Sequence, residues 1–244
     1  MDNTMYVALS RQMTLRRELD IVANNIANSD TTGFKLEGTM VRTEPSTGAS
    51  MIDGPATLKF VLDDGVTRDF GQGALRKTDG AFDLAIEGAG FFKVQTPDGE
   101  RYTRDGRFTL SPEGKMTTQS GNPVLGEGGE ITVNPELGAV SIGADGVVSQ
   151  AGEQIGKVAV VAFDDPGGLS KTGDNLFRNA SNLQPQPSTT AQIRQGMLEG
   201  SNVNPILQVT RLIEITRAYE SMAKTIESSA ELSRRSVERL GRVA

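Results

Sequence analysis

The feature that most restricts the fold is a heptad pattern of apolar residues at each end of the chain. Near the N-terminus, apolar positions alternate spacings of four and three, with one polar interruption at Gln12. The pattern predicts a helix over residues 2 to about 28, which ends where SDTTG supplies helix breakers. A helix with so narrow an apolar stripe is unstable alone in water, so another helix must cover it. The stripe consists of Met1, Met5, Ala8, Leu15, Leu19, Val22 and Ile26.

The second heptad pattern begins near residue 205 and continues to the C-terminus. Asn204 is suited to cap the helix, and Pro205 is suited to its first turn. No stop signal interrupts the pattern, so we expect one long helix. Its stripe consists of Val209, Leu212, Thr216, Tyr219, Ala223, Ile226, Ala230, Ser233, Val237 and Leu240.

Between these helices the sequence is typical of short β-strands joined by tight turns. Strand-like runs within residues 79–180 alternate with turn sequences, and the chain contains 28 glycines. Asp98-Gly99 and Asp105-Gly106 are strong hairpin signals. Residues 36–78 and 181–200 have weak periodicity, which predicts irregular linkers or arms.

The expected fold class is α+β, with the two terminal helices pairing as a coiled coil around a central, mostly antiparallel β domain. Pattern alone leaves two arrangements open: a helical hairpin within one monomer, and pairing between neighbouring copies. The predicted divisions are an N-terminal helix in 1–35, an arm in 36–78, a β domain in 79–180, a linker in 181–200 and a C-terminal helix in 201–244.

Residue usage excludes most catalytic chemistry. The chain has no cysteine and no histidine, so it has no thiolate nucleophile, imidazole base or histidine metal ligand. Gly88-Ala89-Gly90 lacks the third glycine and the following helix of a phosphate loop. Paired carboxylates such as Asp164-Asp165, or Asp105 with Glu113, have no diagnostic spacing. We therefore expect no enzyme activity, no cofactor and no metal site.

The charge of the chain argues against several classes of partner. Net charge is −6, and residues 79–180 hold 15 acidic and 8 basic residues, so we expect no nucleic-acid partner. No apolar run approaches the roughly 18 residues of a membrane span, and the N-terminus lacks the features of a secretory signal. Composition alone would therefore predict a cytosolic protein.

Three segments of the sequence resemble the flagellar rod and hook family. LDIVANNIANSDTTGFK, residues 19–35, is similar to the family's N-terminal signature, and LEGSNVNPILQVTRLIEITRAYE, residues 198–220, is similar to its C-terminal signature. Residues 83–126 resemble the family's β domain almost throughout. The likeness covers nearly the whole chain, in the right order. Within the family, the single β domain and short length argue against the hook protein. The opening MDNTMYVALSRQ and the short 36–78 segment resemble the proximal-rod members, with the distal-rod members as runner-up.

The resemblance implies an exported structural protein, in place of the cytosolic protein that composition alone would predict. Rod subunits leave the cytoplasm through the flagellum's own type III export apparatus without a cleaved signal. In the periplasm they assemble into a hollow, helical drive shaft of the basal body. The terminal helices form its inner core, and the partners are copies of the chain and neighbouring rod proteins.

Within this interpretation the terminal stripes become subunit-packing surfaces. Asn24, Asn25 and Asn204 are candidates for fixing register between helices, although Asn near a helix end is equally typical of fraying and capping. We expect Leu19→Asp or Ile226→Asp to block assembly while the β domain still folds. The candidate packing residues are Leu15, Leu19, Val22, Asn24, Asn25, Ile26, Asn204, Val209, Leu212, Tyr219 and Ile226.

Two rival interpretations belong to other classes. A secreted β-domain protein that binds or cleaves cell-wall glycan would need convergent carboxylates or aromatic side chains, and only 5% of residues are aromatic. A cytosolic helical-hairpin adaptor would leave the matched signatures unexplained.

Overall fold

The structure is a computed structural model that describes residues 2–45 and 59–241. The described residues form two compact units. The helical unit contains residues 2–27, 37–45, 59–69 and 204–241. The β unit contains residues 28–36 and 70–203.

Two long helices carry the heptad patterns, as the sequence predicts. Helix α1 is Asp2–Ala27 and helix α2 is Pro205–Gly241. The start of α2 is capped by Asn204, whose Oδ1 accepts hydrogen bonds from the amides of Ile206 at 3.1 Å and Leu207 at 3.3 Å. The expected continuation of the helix over 242–244 lies outside the described residues.

Short strands make up most of the remaining structure. Those of the first half are β1 Leu36–Pro45, β2 Lys59–Asp69, β3 Leu75–Lys77, β4 Leu84–Glu87, β5 Phe91–Thr96, β6 Gly99–Thr103, β7 Phe108–Leu110, β8 Met116–Thr118, β9 Val124–Gly126 and β10 Gly129–Glu130. Those of the second half are β11 Val140–Ile142, β12 Val147–Gln150, β13 Glu153–Lys157, β14 Val160–Ala162, β15 Leu169–Gly173, β16 Leu176–Asn179, β17 Gln186–Pro187, β18 Gln192–Gln195 and β19 Met197–Glu199. Two 3-10 helices, Pro135–Leu137 and Pro166–Gly168, lie among them.

The strand pairs of the β unit are antiparallel wherever their register is defined, which confirms a mostly antiparallel β domain. The largest sheet has the order β10-β9-β5-β6-β16-β15; β14 joins it by pairing with β5, and β17 pairs with β14. The smaller sheets are β11-β12-β13, β18-β4, β19-β3 and β7-β8. In the helical unit, β1 pairs with β2.

Strand β5 separates two apolar clusters of the β unit. Its successive side chains point to opposite faces, so Phe92 and Val94 enter one cluster and Phe91 enters the other. The first cluster also contains Leu84 and Ile86 of β4 together with residues of many later strands. The second cluster is mostly aromatic: it also contains Tyr102, Phe163 and Phe177 with Val161 and Leu169, and the partly buried Phe70 packs against it.

Both segments expected to be irregular contain strands instead. Residues 36–78 hold β1, β2 and β3, and residues 181–200 hold β17, β18 and β19. Strand β18 pairs with β4, which lies more than 100 residues earlier. The sequence QIRQ of β18 has no apolar alternation of its own. Its strand conformation therefore depends on pairing with a distant strand and not on a local sequence pattern.

One of the two hairpin signals is confirmed and the other is wrong. The Asp98-Gly99 signal marks the hairpin of β5 and β6, in which Pro97 and Asp98 form the turn and Gly99 begins β6 opposite Thr96. Asp105-Gly106 joins β6 to β7, but β7 pairs with β8 and not with β6. Gly106 instead lies against β4, where an added Cβ would come 1.6 Å from the carbonyl oxygen of Leu84.

Candidate subunit-packing surface

The terminal helices pack against each other within one chain. Leu15 and Val22 of α1 and Ile215 of α2 are buried between them. Asn25 Nδ2 lies 3.4 Å from Gln208 Oε1, so the C-terminal end of α1 lies beside the N-terminal end of α2. The pair is therefore antiparallel. Partly buried apolar side chains complete this contact: Leu19, Ile26, Leu212, Tyr219 and Met222.

The α2 residues that face α1 only partly coincide with the predicted stripe: every second position is shifted by one residue toward the N-terminus. Leu212 and Tyr219 belong to both, but the position between them is filled by Ile215 in place of Thr216. Val209 of the predicted stripe is exposed. The predicted and the observed stripe both follow three-four spacing and have every second position in common. Apolar spacing alone therefore does not show which of the two faces α1.

The predicted packing residues divide by burial into three groups. Leu15, Val22 and Asn25 are buried. Leu19, Ile26, Leu212, Tyr219 and Ile226 are half-buried. Asn24, Asn204 and Val209 are exposed.

Asn25 is a buried polar residue that connects α1 to β1. Its Nδ2 donates to the carbonyl oxygen of Glu37 at 2.7 Å, and the amide of Glu37 donates to its Oδ1 at 3.0 Å. The carboxylate of Glu37 pairs with Arg68 of β2 at 2.9 Å. Asn25 therefore positions a strand beside the helix, a role that was not among the two left open by the sequence, which were register between helices and fraying or capping. Asn204 is a helix cap.

Each helix also exposes apolar side chains that the other helix does not cover. The α1 apolar face consists of Met5, Tyr6, Leu9 and Met13. The α2 apolar face consists of Ile206, Leu207, Val209 and Ile213. Met5, Leu9 and Met13 are four residues apart, and Ile206, Val209 and Ile213 are three and four apart, so each set follows one side of its helix. Contiguous exposed apolar surface of this kind is typical of protein interfaces.

The β unit contains a buried ionic cluster that the sequence analysis did not predict. Glu199 Oε1 accepts from Lys35 Nζ at 2.6 Å, and Glu199 Oε2 accepts from an Arg104 guanidinium nitrogen at 3.1 Å. The side chains of Lys35 and Glu199 are 0% exposed, and that of Arg104 is 4% exposed. Burial lowers the pKa of Arg104, and the nearby Glu199 carboxylate opposes that shift.

The only sequence signal for this cluster was that its members lie in the three segments that resemble the family, with Arg104 in residues 83–126. Lys35 ends the N-terminal signature and Glu199 is the second residue of the C-terminal one. Charged residues are rarely fully buried unless they are paired, so composition gave no reason to place them inside.

Among the described residues, no group of three or more carboxylates is arranged to hold a metal ion. Within the same residues, neither helix is long and apolar enough to cross a membrane.

Three protein-family models match the chain. They are the flagella basal body rod protein at residues 5–35, the flagellar hook protein FlgE/F/G D1 domain at residues 85–150, and the flagellar basal body rod FlgEFG protein C-terminal at residues 194–239. The matches to the two ends cover most of α1 and most of α2.

Curated relatives match over nearly their whole length. The flagellar basal-body rod protein FlgF of Caulobacter vibrioides is 60% identical over 244 residues and covers 100% of both chains. FlgF of Mesorhizobium japonicum is 36% identical and covers 99% of both. The flagellar basal-body rod protein FlgG of Bacillus subtilis is 32% identical, covering 94% of this chain and 96% of its own.

Proposed function

We propose, from the premise that this chain belongs to the flagellar basal-body rod protein family, that it polymerises through the apolar faces of its two terminal helices. It is a structural subunit of the proximal rod and not an enzyme. The 60% identity to a FlgF, against 32% to 36% for FlgG relatives, favours the proximal over the distal rod. As a rod protein it assembles with other rod components in the basal body and serves motility.

The single observation that carries the mode of assembly is the exposure of both apolar faces in the isolated chain. Leu9 is 47% exposed and Ile213 is 49% exposed, although each lies on a long amphipathic helix. Fully burying one such side chain stabilises a contact by about 1.5–3 kcal/mol. Several such side chains on each helix are enough to drive association once neighbouring copies cover them.

The antiparallel helix pair is the unit that packs in this proposal. Heptad spacing over more than four heptads of α2 supports a coiled-coil geometry, in which side chains of one helix fill gaps between those of the next. Leu15, Val22 and Ile215 hold the pair together within a chain. Val209 lies outside that contact and belongs to the surface offered to neighbours.

The wider role follows from the family. The subunits surround a channel, form a hollow torque-transmitting shaft in the periplasm, and have copies of the chain and neighbouring rod proteins as partners. Export proceeds through the flagellar type III apparatus without a cleaved signal peptide. Support for these steps is the match of family and relatives over the full length of the chain.

The experiment separates contacts within the chain from contacts between chains. Leu9→Asp and Ile213→Asp place a charge on the two exposed faces, and Ser228→Asp adds the same charge at an exposed polar position of α2. We expect the first two variants to keep the helical circular dichroism signal of the wild type, to lose concentration-dependent sedimentation and to be non-motile. Ser228→Asp should behave as wild type.

Leu19→Asp and Ile226→Asp are less selective than the sequence suggested. Leu19 packs against the buried core of the helix pair, and Ile226 is half-buried. Charges there should weaken the folded monomer as well as its assembly. Motile cells with normal rods in both the Leu9→Asp and Ile213→Asp strains would contradict the proposed surface.

A further inference from the structure

The last strands of the β unit complete parts of it that begin far earlier in the chain. Residues 192–203, here called the closing segment, contain β18 and β19. Strand β18 pairs with β4, and β19 pairs with β3. Leu84, Ala85 and Ile86 of β4 are at most 1% exposed, so the backbone polar groups that β4 directs to β18 have no access to water in the folded unit.

Side chains of the closing segment also satisfy backbone groups from several other elements. Gln195 accepts from the amide of Ile142 at 3.0 Å and donates to the carbonyl oxygens of Val140 and Ala81. Ile193 enters the main apolar cluster and is 3% exposed. Removing this segment would therefore uncover the core and leave buried polar atoms unpaired.

Asn202 joins the closing segment to the other end of the β unit. Its Oδ1 accepts from the amide of Leu36 at 2.8 Å, and its Nδ2 donates to the carbonyl oxygen of Gly71 at 3.1 Å. The backbone amide of Gly33 donates to the carbonyl oxygen of Glu199 at 2.8 Å. The first and last segments of the unit thus lie side by side.

Glu199 is the charged centre of this closure. It meets Lys35 across 164 residues of sequence and Arg104 across 95 residues. Its Oε1 also accepts from the amide of Gly73 at 2.8 Å. Without Glu199 two cations would be buried beside each other, and removing one partner of a buried ion pair is strongly destabilising.

We propose that the closing segment makes folding of the β unit wait for the C-terminal end of that unit. The loop that joins Lys35 to Glu199 must close before the buried cations are neutralised, and contacts so distant in sequence form slowly. In a chain that emerges with its N-terminus first, the β unit therefore stays unfolded until residues up to about 200 have emerged. This order of folding within one chain does not depend on how copies of the chain assemble.

Pulse-labelling hydrogen exchange during refolding of the full chain tests the order of events. Amides of β5 and β6 should become protected in the same kinetic phase as those of β18 and β19. Native protection of β5 and β6 in an earlier phase would overturn the proposal.

A second measurement uses Glu199→Gln, which keeps the size of the side chain and removes its charge. At equilibrium we expect amide protection in β5 and β6, remote from the substitution, to fall about a hundredfold to a thousandfold together with that of β4. Loss of protection confined to residues 197–203 would show a local role and would overturn the proposal. Glu87→Gln is the matched control, because it removes a half-exposed pair with Arg194 in the same β4-β18 ladder.

A third variant covers the case in which Glu199→Gln does not fold. Lys35→Met combined with Glu199→Gln leaves one buried cation, which is the same net charge as in the wild-type cluster. The double variant should regain at least about tenfold in core protection over Glu199→Gln. A double variant no better protected than the single one would show that the unneutralised charge does not keep the β unit unfolded, and would overturn the proposal.

Discussion

The side chain of Asn25 forms hydrogen bonds with both the amide and the carbonyl group of Glu37. Nδ2 donates to the carbonyl oxygen at 2.7 Å, and the Glu37 amide donates to Oδ1 at 3.0 Å. The Asn25 side chain is almost completely buried. One carboxamide therefore fixes the first residues of β1 beside the C-terminal end of α1.

Replacing Asn25 should destabilise the helical unit. Asn25→Ala removes both hydrogen bonds between this buried side chain and the Glu37 backbone, a loss that costs about 1–3 kcal/mol. The free energy of unfolding from urea titration and the amide exchange of β1 measure the loss. Arg16→Ala, at an exposed position of the same helix, is the control and should change stability by less than about 0.5 kcal/mol. Equal effects of both variants would contradict the role given to Asn25.

The cap of α2 gives a second prediction. Asn204→Ala removes the acceptor of the Ile206 and Leu207 amides and should cost about 1 kcal/mol. Asn204→Asp keeps an acceptor and adds negative charge at a helix N-terminus, so it should remain close to wild type. Thermal unfolding followed by circular dichroism distinguishes the two. A cap role is excluded if Asn204→Ala and Asn204→Asp unfold at the same temperature.

Two isoleucines of α2 separate packing within the chain from packing between chains. Ile215 is 4% exposed in the helix pair, and Ile215→Ala should lower the free energy of unfolding by about 2–5 kcal/mol. Ile213→Ala, two residues earlier and half-exposed, should cost the monomer less than about 1 kcal/mol while weakening self-association. Urea titration and sedimentation of the same samples give both quantities. A monomer that loses as much stability in Ile213→Ala as in Ile215→Ala would place both residues in one intrachain contact.

Local sequence signals predicted the helices well. The Asn204-Pro205 start of α2 and the breakers after α1 depend on residues within one turn of each helix end, so a short window was sufficient. The stripe of α2 was harder, because Ile215 and Thr216 both continue three-four spacing and only the position of α1 selects Ile215.

Features that depend on distant residues were not readable in the sequence. Strand β18 exists because β4 lies beside it, and its residues show no strand pattern by themselves. Glu199 is buried because Lys35 and Arg104 meet it from positions 164 and 95 residues away. A charged residue in a turn-rich sequence is ordinarily at the surface, so the matched signatures marked the position of Glu199 without indicating its burial.

Gly106 provides a prediction from close backbone approach. A Cβ at this position would lie 1.6 Å from the Leu84 carbonyl oxygen, so Gly106→Ala must displace β4 or the turn. We expect a loss of about 3 kcal/mol or more in the free energy of unfolding. Gly128→Ala, where an added Cβ meets nothing within 4 Å, is the control and should be nearly neutral. Urea titration of both variants provides the comparison, and a stable Gly106→Ala protein would show that the turn relaxes easily.

The buried phenol of Tyr102 makes the β unit sensitive to alkaline pH. Burial raises the pKa of Tyr102 above its ordinary value of 10.0, and the Glu100 carboxylate raises it further. The folded chain therefore retains this proton at a pH where the unfolded chain releases it. The resulting stability is fully present below pH 10 and is lost as pH rises from about 10 through the higher folded-state pKa.

Tyr102→Phe keeps the ring, which packs edge-to-face on Phe163 at 4.9 Å, and removes the proton. Urea midpoints at pH 8 and pH 11 should fall more steeply with pH for the wild type than for Tyr102→Phe. Equal slopes would mean that Tyr102 reaches solvent before it ionises, and that the aromatic cluster opens locally without unfolding the unit.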